Sequence, residues 1–160
     1  MKFTERFEYP ADPEQVFGLI SDQTFREQSC ERQGARDYTV TVEPQGDTTT
    51  VTIVRTMESD MPDFIKKLTG DAVTVTQIEK WGPADAAGSR TAEVSVDIHG
   101  QPARMQGTST IAAHGATTTM SVDGDVKVSI PLIGRRIEPE VAKAISASLK
   151  DEVEYGATRL

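Results

Sequence analysis

The chain is poor in most of the residues that advertise a specific chemistry. Its 160 residues hold one cysteine, Cys30. No intramolecular disulfide can staple it, and a reducing, cytoplasmic setting is the expectation. Nothing beside Cys30 would activate its thiol. There are two histidines, His99 and His114. They fall at turns of different hairpins, with no cysteine or acidic spacing beside them that would make a metal site. The Walker A, G-x-G-x-x-G and G-x-S-x-G patterns are missing, and no cofactor is expected. No apolar run approaches the roughly 20 residues that span a bilayer, and Met1 to Arg6 lacks the apolar core of a signal peptide. Basic charge is also short, 17 Lys and Arg against 25 Asp and Glu, for a net charge of −8. That balance argues against nucleic acid, whose phosphates need a basic surface, and against an anionic membrane surface. The pairs Lys66-Lys67 and Arg135-Arg136 are too small to reverse it.

What the chain does have is regular period. At this length a single domain over 1–160 is the simplest count, and it can bury roughly 70% of its unfolded surface. From Pro131 to about Tyr155, Ile137, Val141, Ile145, Leu149 and Val153 recur every four residues, with charged residues filling most of the other side. This predicts one long amphipathic helix. Upstream, Lys2 to Tyr9 alternates as a strand. Asp12 and Pro13 then start a short helix, and Ser21-Asp22 caps a second over about 23–31. From Asp37 the period is two. Strands run through Tyr38–Val42, Val51–Met57, Val73–Trp81, Ala92–Ile98, Met105–Ala113 and Met120–Ile130, separated by turn residues. Phe64, Ile65 and Leu68 allow one or two helical turns between the second and third of these. Pro139 is expected in the first turn of the long helix and Gly156 at its stop. An antiparallel sheet with one apolar face must cover that face, and only the last helix is long enough to do so.

This order resembles the helix-grip fold of the START and birch-pollen-allergen-like (SRPBCC) superfamily. More specifically, the chain is similar to the bacterial domain-of-unknown-function 2505 family. The residues that carry the resemblance are Phe7-Glu8-Tyr9-Pro10-Ala11 with Val16-Phe17, Asp60-Met61-Pro62-Asp63-Phe64, Trp81-Gly82-Pro83-Ala84-Asp85 and Gly124-Asp125-Val126-Lys127-Val128. Ile130-Pro131-Leu132-Ile133-Gly134 with Ile137-Glu138 completes the match, which covers nearly the whole chain. It implies an α+β fold in which a curved seven-stranded antiparallel sheet wraps a long C-terminal helix, with two short helices after the first strand. It also implies a cavity for a sterol, lipid or polyketide-like molecule between them. That family has no established activity, and the superfamily holds transporters, enzymes and regulators alike.

Strand parity adds polar residues to the inward face. Glu5 shares a face with Phe3, Phe7 and Tyr9, and Arg55 with Val51, Ile53 and Met57. Gln77 and Glu79 go with Val73, Val75 and Trp81, although Ile78 disputes that register. Buried charge is costly unless paired, so Glu5 or Glu79 with Arg55 is the natural pair. Either these groups form a polar end to an apolar cavity, with Arg55 binding a carboxylate or ketone oxygen, or Arg55 and Glu79 lie near strand ends and reach solvent. Gly107 and Gly124, also of inward parity, either make room for a ligand or mark bulges or a close helix approach. Met57, Met61, Met105 and Met120 line a cavity or fill a core. Phe64 and Leu68 form a lid or merely cap the core.

The expected function is non-catalytic binding of a hydrophobic or amphipathic small molecule. The candidate ligand-binding residues are Glu5, Tyr9, Tyr38, Ile53, Arg55, Trp81, Val96, Met105, Met120, Val141, Ile145 and Leu149. No catalytic or metal-ligating residue is expected. The partner is an apolar small molecule, with no nucleic acid and no membrane insertion. Two alternatives stand. One is an enzyme of the polyketide cyclase or dehydratase type, with Glu5, Arg55 or Glu79 as working groups. The other is a co-chaperone-like partner binder with a packed interior.

Overall fold

The computed structural model describes residues 1–160. Strand β1 (Lys2–Tyr9) leads into helices α1 (Pro13–Ile20) and α2 (Gln23–Arg32). Strands β2 (Asp37–Gln45) and β3 (Thr48–Glu58) form a hairpin, and helix α3 (Asp63–Thr69) separates β3 from β4 (Ala72–Trp81). Strands β5 (Arg90–Ile98), β6 (Ala103–His114) and β7 (Thr117–Val128) follow, and α4 (Gly134–Ala157) is the long helix. One seven-stranded sheet has the order β1-β7-β6-β5-β4-β3-β2, and every pairing is antiparallel. This is the α+β helix-grip architecture. No helix is long and apolar enough to cross a membrane.

Local chemistry sets the helix starts. Asp12 accepts a hydrogen bond from the Gln15 backbone N–H at 2.9 Å, and the Gln15 side chain accepts from the Asp12 N–H at 3.4 Å. This reciprocal cap, with Pro13 in the first turn, contributes about 1 kcal/mol. Asp22 caps α2 from one side only, accepting from the Phe25 N–H at 3.0 Å.

The long helix departs from its sequence reading at both ends. It begins at Gly134, so Pro139 lies inside the helix rather than in its first turn. A proline there removes one i→i−4 bond, the one Arg135 O would accept. At the other end Gly156 is not a stop. It is buried within the last turn, and a Cβ on it would lie 3.1 Å from both Leu19 Cδ2 and Tyr9 Cε1. The glycine lets α4 close onto α1 and β1.

Gly107 and Gly124 face each other across β6 and β7. A Cβ on Gly107 would sit 2.0 Å from Asp123 O, and one on Gly124 2.4 Å from Gln106 O. Neighbouring backbone fills the space that side chains would take. The close approach is between strands, not with a helix, and neither glycine opens room for a ligand.

Candidate functional site

Between the sheet and α4 lies a cavity of about 310 Å³, and 20 of its 34 lining residues are hydrophobic. Strand alternation builds one wall. Strand β4 contributes Val73, Val75, Gln77 and Glu79, so the odd positions face inward despite Ile78. Helix α4 contributes Val141, Ile145, Ser148, Leu149 and Glu152. Of its four-residue stripe, Ile137, Val141 and Val153 are buried, whereas Ile145 and Leu149 are half-buried. Those two border the cavity, as Ile137 and Val141 also do, and pack against the core.

One end of the cavity lies under α3. Ile65 and Leu68 line it there, while Phe64 and Leu68 are 37% and 47% exposed. The Arg136 guanidinium carbon sits 5.0 Å from the centroid of the Phe64 ring, tying α3 to the first turn of α4 by a cation–π contact.

The other end holds a buried charge network. Arg26 on α2 is 1% exposed. Its Nη1 donates to Glu152 at 2.9 Å and its Nη2 to Glu79. Glu79 also accepts from Gln77 Nε2 at 2.8 Å and from Trp81 Nε1 at 2.9 Å. Ser29 Oγ donates to Glu152 at 3.4 Å. Burial opposes the charge on Arg26, but the Glu152 and Glu79 carboxylates outweigh it and hold the guanidinium above its ordinary pKa. Burial, reinforced by Glu152 and opposed by Arg26, raises the Tyr9 phenol. Tyr9 Oη, Arg26 Nε and Ser109 Oγ are buried without a hydrogen-bond partner in the protein. Of these three residues, Ser109 lines the cavity.

Arg55 makes no ion pair in this network but meets it through Gln33, whose Nε2 donates to Ser29 Oγ at 3.4 Å. Its Nη2 donates to Ser148 Oγ at 3.0 Å and its Nη1 to Gln33 Oε1 at 3.4 Å. The expected partners are engaged elsewhere: Glu79 with Arg26, and Glu5 with Ser146 Oγ, from which it accepts. Arg55 is thus half-buried at the cavity wall with neutral neighbours. Beside it, burial pushes the Cys30 thiol pKa up, and Arg55 partly offsets this.

Seven of the twelve candidate residues line the cavity: Arg55, Val96, Met105, Met120, Val141, Ile145 and Leu149. The other five have the predicted parity but not the position. Trp81 is 1% exposed and packs edge-on against Phe17, with ring centroids 6.0 Å apart. Tyr9 is fully buried, with its ring against the last turn of α4. Ile53 is 1% exposed within the core. Tyr38 is on edge strand β2, where its hydroxyl donates to Glu31 of α2. Glu5 is held by Ser146 as above. In each case a helix or core residue occupies the space that strand parity left open. Met57 and Met61 also line the cavity. His114 Nδ1 lies 3.0 Å from Glu8 Oε1 at an exposed turn, and His99 Nε2 is 2.5 Å from Thr76 Oγ1.

Arg26, Ser148 and Glu152 are the site residues that sequence reading missed. Helix α2 is nearly all polar, QTFREQSCER, so no apolar face pointed inward. The available signal was spacing: Arg26, Ser29, Cys30 and Gln33 follow i, i+3, i+4, i+7 on one side. Likewise Glu152 lies three residues after Leu149, on the apolar side of α4.

Residues 4–160 match the profile of a family described as a protein of unknown function, DUF2505. The chain belongs to the DUF2505 family. No curated protein matches it. Solved structures similar to this DUF2505 chain include the Zhui aromatase/cyclase from a Streptomyces species, with a TM-score of 0.63 at 12% identity, covering 99% of this chain and 94% of that one. A STAR-related lipid transfer protein fragment from Xanthomonas axonopodis has a TM-score of 0.62 at 12% identity, covering 96% and 84%. A START superfamily protein from Mycobacterium smegmatis has a TM-score of 0.59 at 13% identity, covering 99% and 97%. These likenesses identify the DUF2505 fold as START-like.

Proposed function

We propose that the protein binds a hydrophobic or amphipathic small molecule, lipid, sterol-like or polyketide-like, in the cavity beneath α4. One observation carries this reading. An interior that is otherwise packed leaves about 310 Å³ lined mainly by apolar side chains. Protein interiors ordinarily fill such space. A ligand seated there would take that apolar lining out of contact with water. The volume sits at the low end of the roughly 300–1,000 Å³ of small-molecule sites.

The names of two structural neighbours, an aromatase/cyclase and a lipid transfer protein, fit an enzyme and a carrier equally. The carboxylates favour the carrier. Glu5, Glu79 and Glu152 each accept hydrogen bonds from protein donors, which ties these three to structural partners. A packed, co-chaperone-like interior does not accord with the cavity.

Native mass spectrometry and solvent extraction of the purified protein test the proposal. The expected result is an apolar adduct that survives purification, or one taken up from a panel of lipids and aromatic polyketides. A protein that carries nothing and takes up nothing from the panel would refute it.

A further inference from the structure

The cavity's interior charges do not cancel where they stand. Arg26 serves two carboxylates, Glu79 and Glu152. Arg55, linked to that cluster through Gln33 and Ser29, pairs with no carboxylate, and its two donor bonds go to the neutral Ser148 and Gln33. A guanidinium carries five N–H donors in a planar fork that matches a carboxylate, so several remain for a ligand. A charge held at an apolar wall without a counter-ion is costly, and an arriving anion removes that cost.

We propose that the ligand is an amphipathic monocarboxylic acid whose carboxylate docks on Arg55 and whose apolar body lies along Ile145, Leu149, Val96 and Met105. This rests on the cavity-binding reading and names the ligand class. The inward-facing carboxylates cannot take the ligand's place, because Trp81, Gln77 and Arg26 hold Glu79 and Arg26 with Ser29 holds Glu152. A doubly charged head group is disfavoured. Two carboxylates sharing one guanidinium leave the Arg26 end with a surplus negative charge that repels a second one on the ligand. A neutral ester forgoes the charge-assisted bonds.

Calorimetric titration of dodecanoic acid, methyl dodecanoate and dodecyl phosphate into the full chain tests this, with Arg55→Met, Arg55→Gln and Arg55→Lys in parallel. The wild type should bind the acid at least about tenfold tighter than the ester, as loss of one charge-assisted bond implies, and tighter than the phosphate through the repulsion of its second charge. Acid and ester should become equal in Arg55→Met, and Arg55→Lys should keep the preference. Arg55→Gln supplies the same comparison should Arg55→Met not fold. Equal wild-type affinity for acid and ester, or a preference that survives loss of the cation, overturns the head-group assignment and leaves the cavity reading standing. Binding of none of the three overturns the monocarboxylate. Only failure to bind the wider lipid and polyketide panel as well removes the cavity reading.

Discussion

Replacing Arg26 with methionine should be among the most damaging single changes in the molecule. The Arg26 side chain is 1% exposed, Glu79 8% and Glu152 9%. Solvent screening therefore does little for the two carboxylates once their shared cation is gone. Breaking a buried pair by removing one partner costs about 3–5 kcal/mol, because it strands uncompensated charge. Here one cation serves two carboxylates, so the upper half of that range is expected. At about 2–4 °C per kcal/mol for a chain of this size, the midpoint of thermal unfolding should fall by roughly 8–20 °C. Urea unfolding followed by circular dichroism measures the loss directly. The triple change Arg26→Met, Glu79→Leu, Glu152→Leu should recover most of it, since an apolar replacement of a whole buried ionic cluster is often neutral or stabilising. Loss of less than about 1 kcal/mol in the single variant would show that the network is wetter than its burial implies. A triple variant no better than the single one would refute the charge argument itself.

Other consequences are smaller or more local. Gly107→Ala should cost more than about 2 kcal/mol, because its Cβ meets the Asp123 carbonyl at 2.0 Å. Gly18→Ala in α1, with nothing within 4 Å of its Cβ, should instead gain about 0.5–1 kcal/mol, and urea midpoints of the pair separate the two. Ser109→Ala removes a buried hydroxyl without a protein partner and should be neutral or stabilising in the ligand-free protein by the same assay. A loss above about 1 kcal/mol would mean the hydroxyl is satisfied. The hydrogen bond to Glu31 raises the Tyr38 phenol to about 12. A folded pKa above the unfolded one gives stability that is fully present below about pH 10 and is lost as pH rises through about 12. Ultraviolet titration should show that late ionisation in the wild type and an earlier one in Glu31→Gln.

The fold was readable because its patterns are local and repeated. Ile137, Val141 and Val153 are buried as a helical stripe demands, and the alternation from Met120 to Val128 is that of β7. Parity also put Arg55, Gln77 and Glu79 on the inward face, and all three line the cavity. Parity gives a face, not a depth. It could not show that Trp81, Tyr9 and Ile53 lie under helices or in the solid core, whereas Val96 and Met105 border open space. Partner choice was equally hidden. Glu79 and Arg55 look complementary in sequence, but Arg26 arrives from a polar helix with no apolar face to announce it. Pro139 reads as a first-turn residue, whereas α4 already begins at Gly134, where a Cβ would meet the Val128 carbonyl at 2.2 Å.

A ligand under α4 needs the space there to be open to it. Val96 is inward on the central part of the sheet and 7% exposed, so Val96→Trp should fill that space at an overpacking cost of about 1–3 kcal/mol. The decisive measurement is native mass spectrometry of wild type and Val96→Trp after incubation with the same lipid and polyketide extract, with folding checked by circular dichroism. A small-molecule adduct on the wild type that is lost from the blocked variant is the predicted result. Equal occupancy of both proteins, or an adduct on neither, would contradict it.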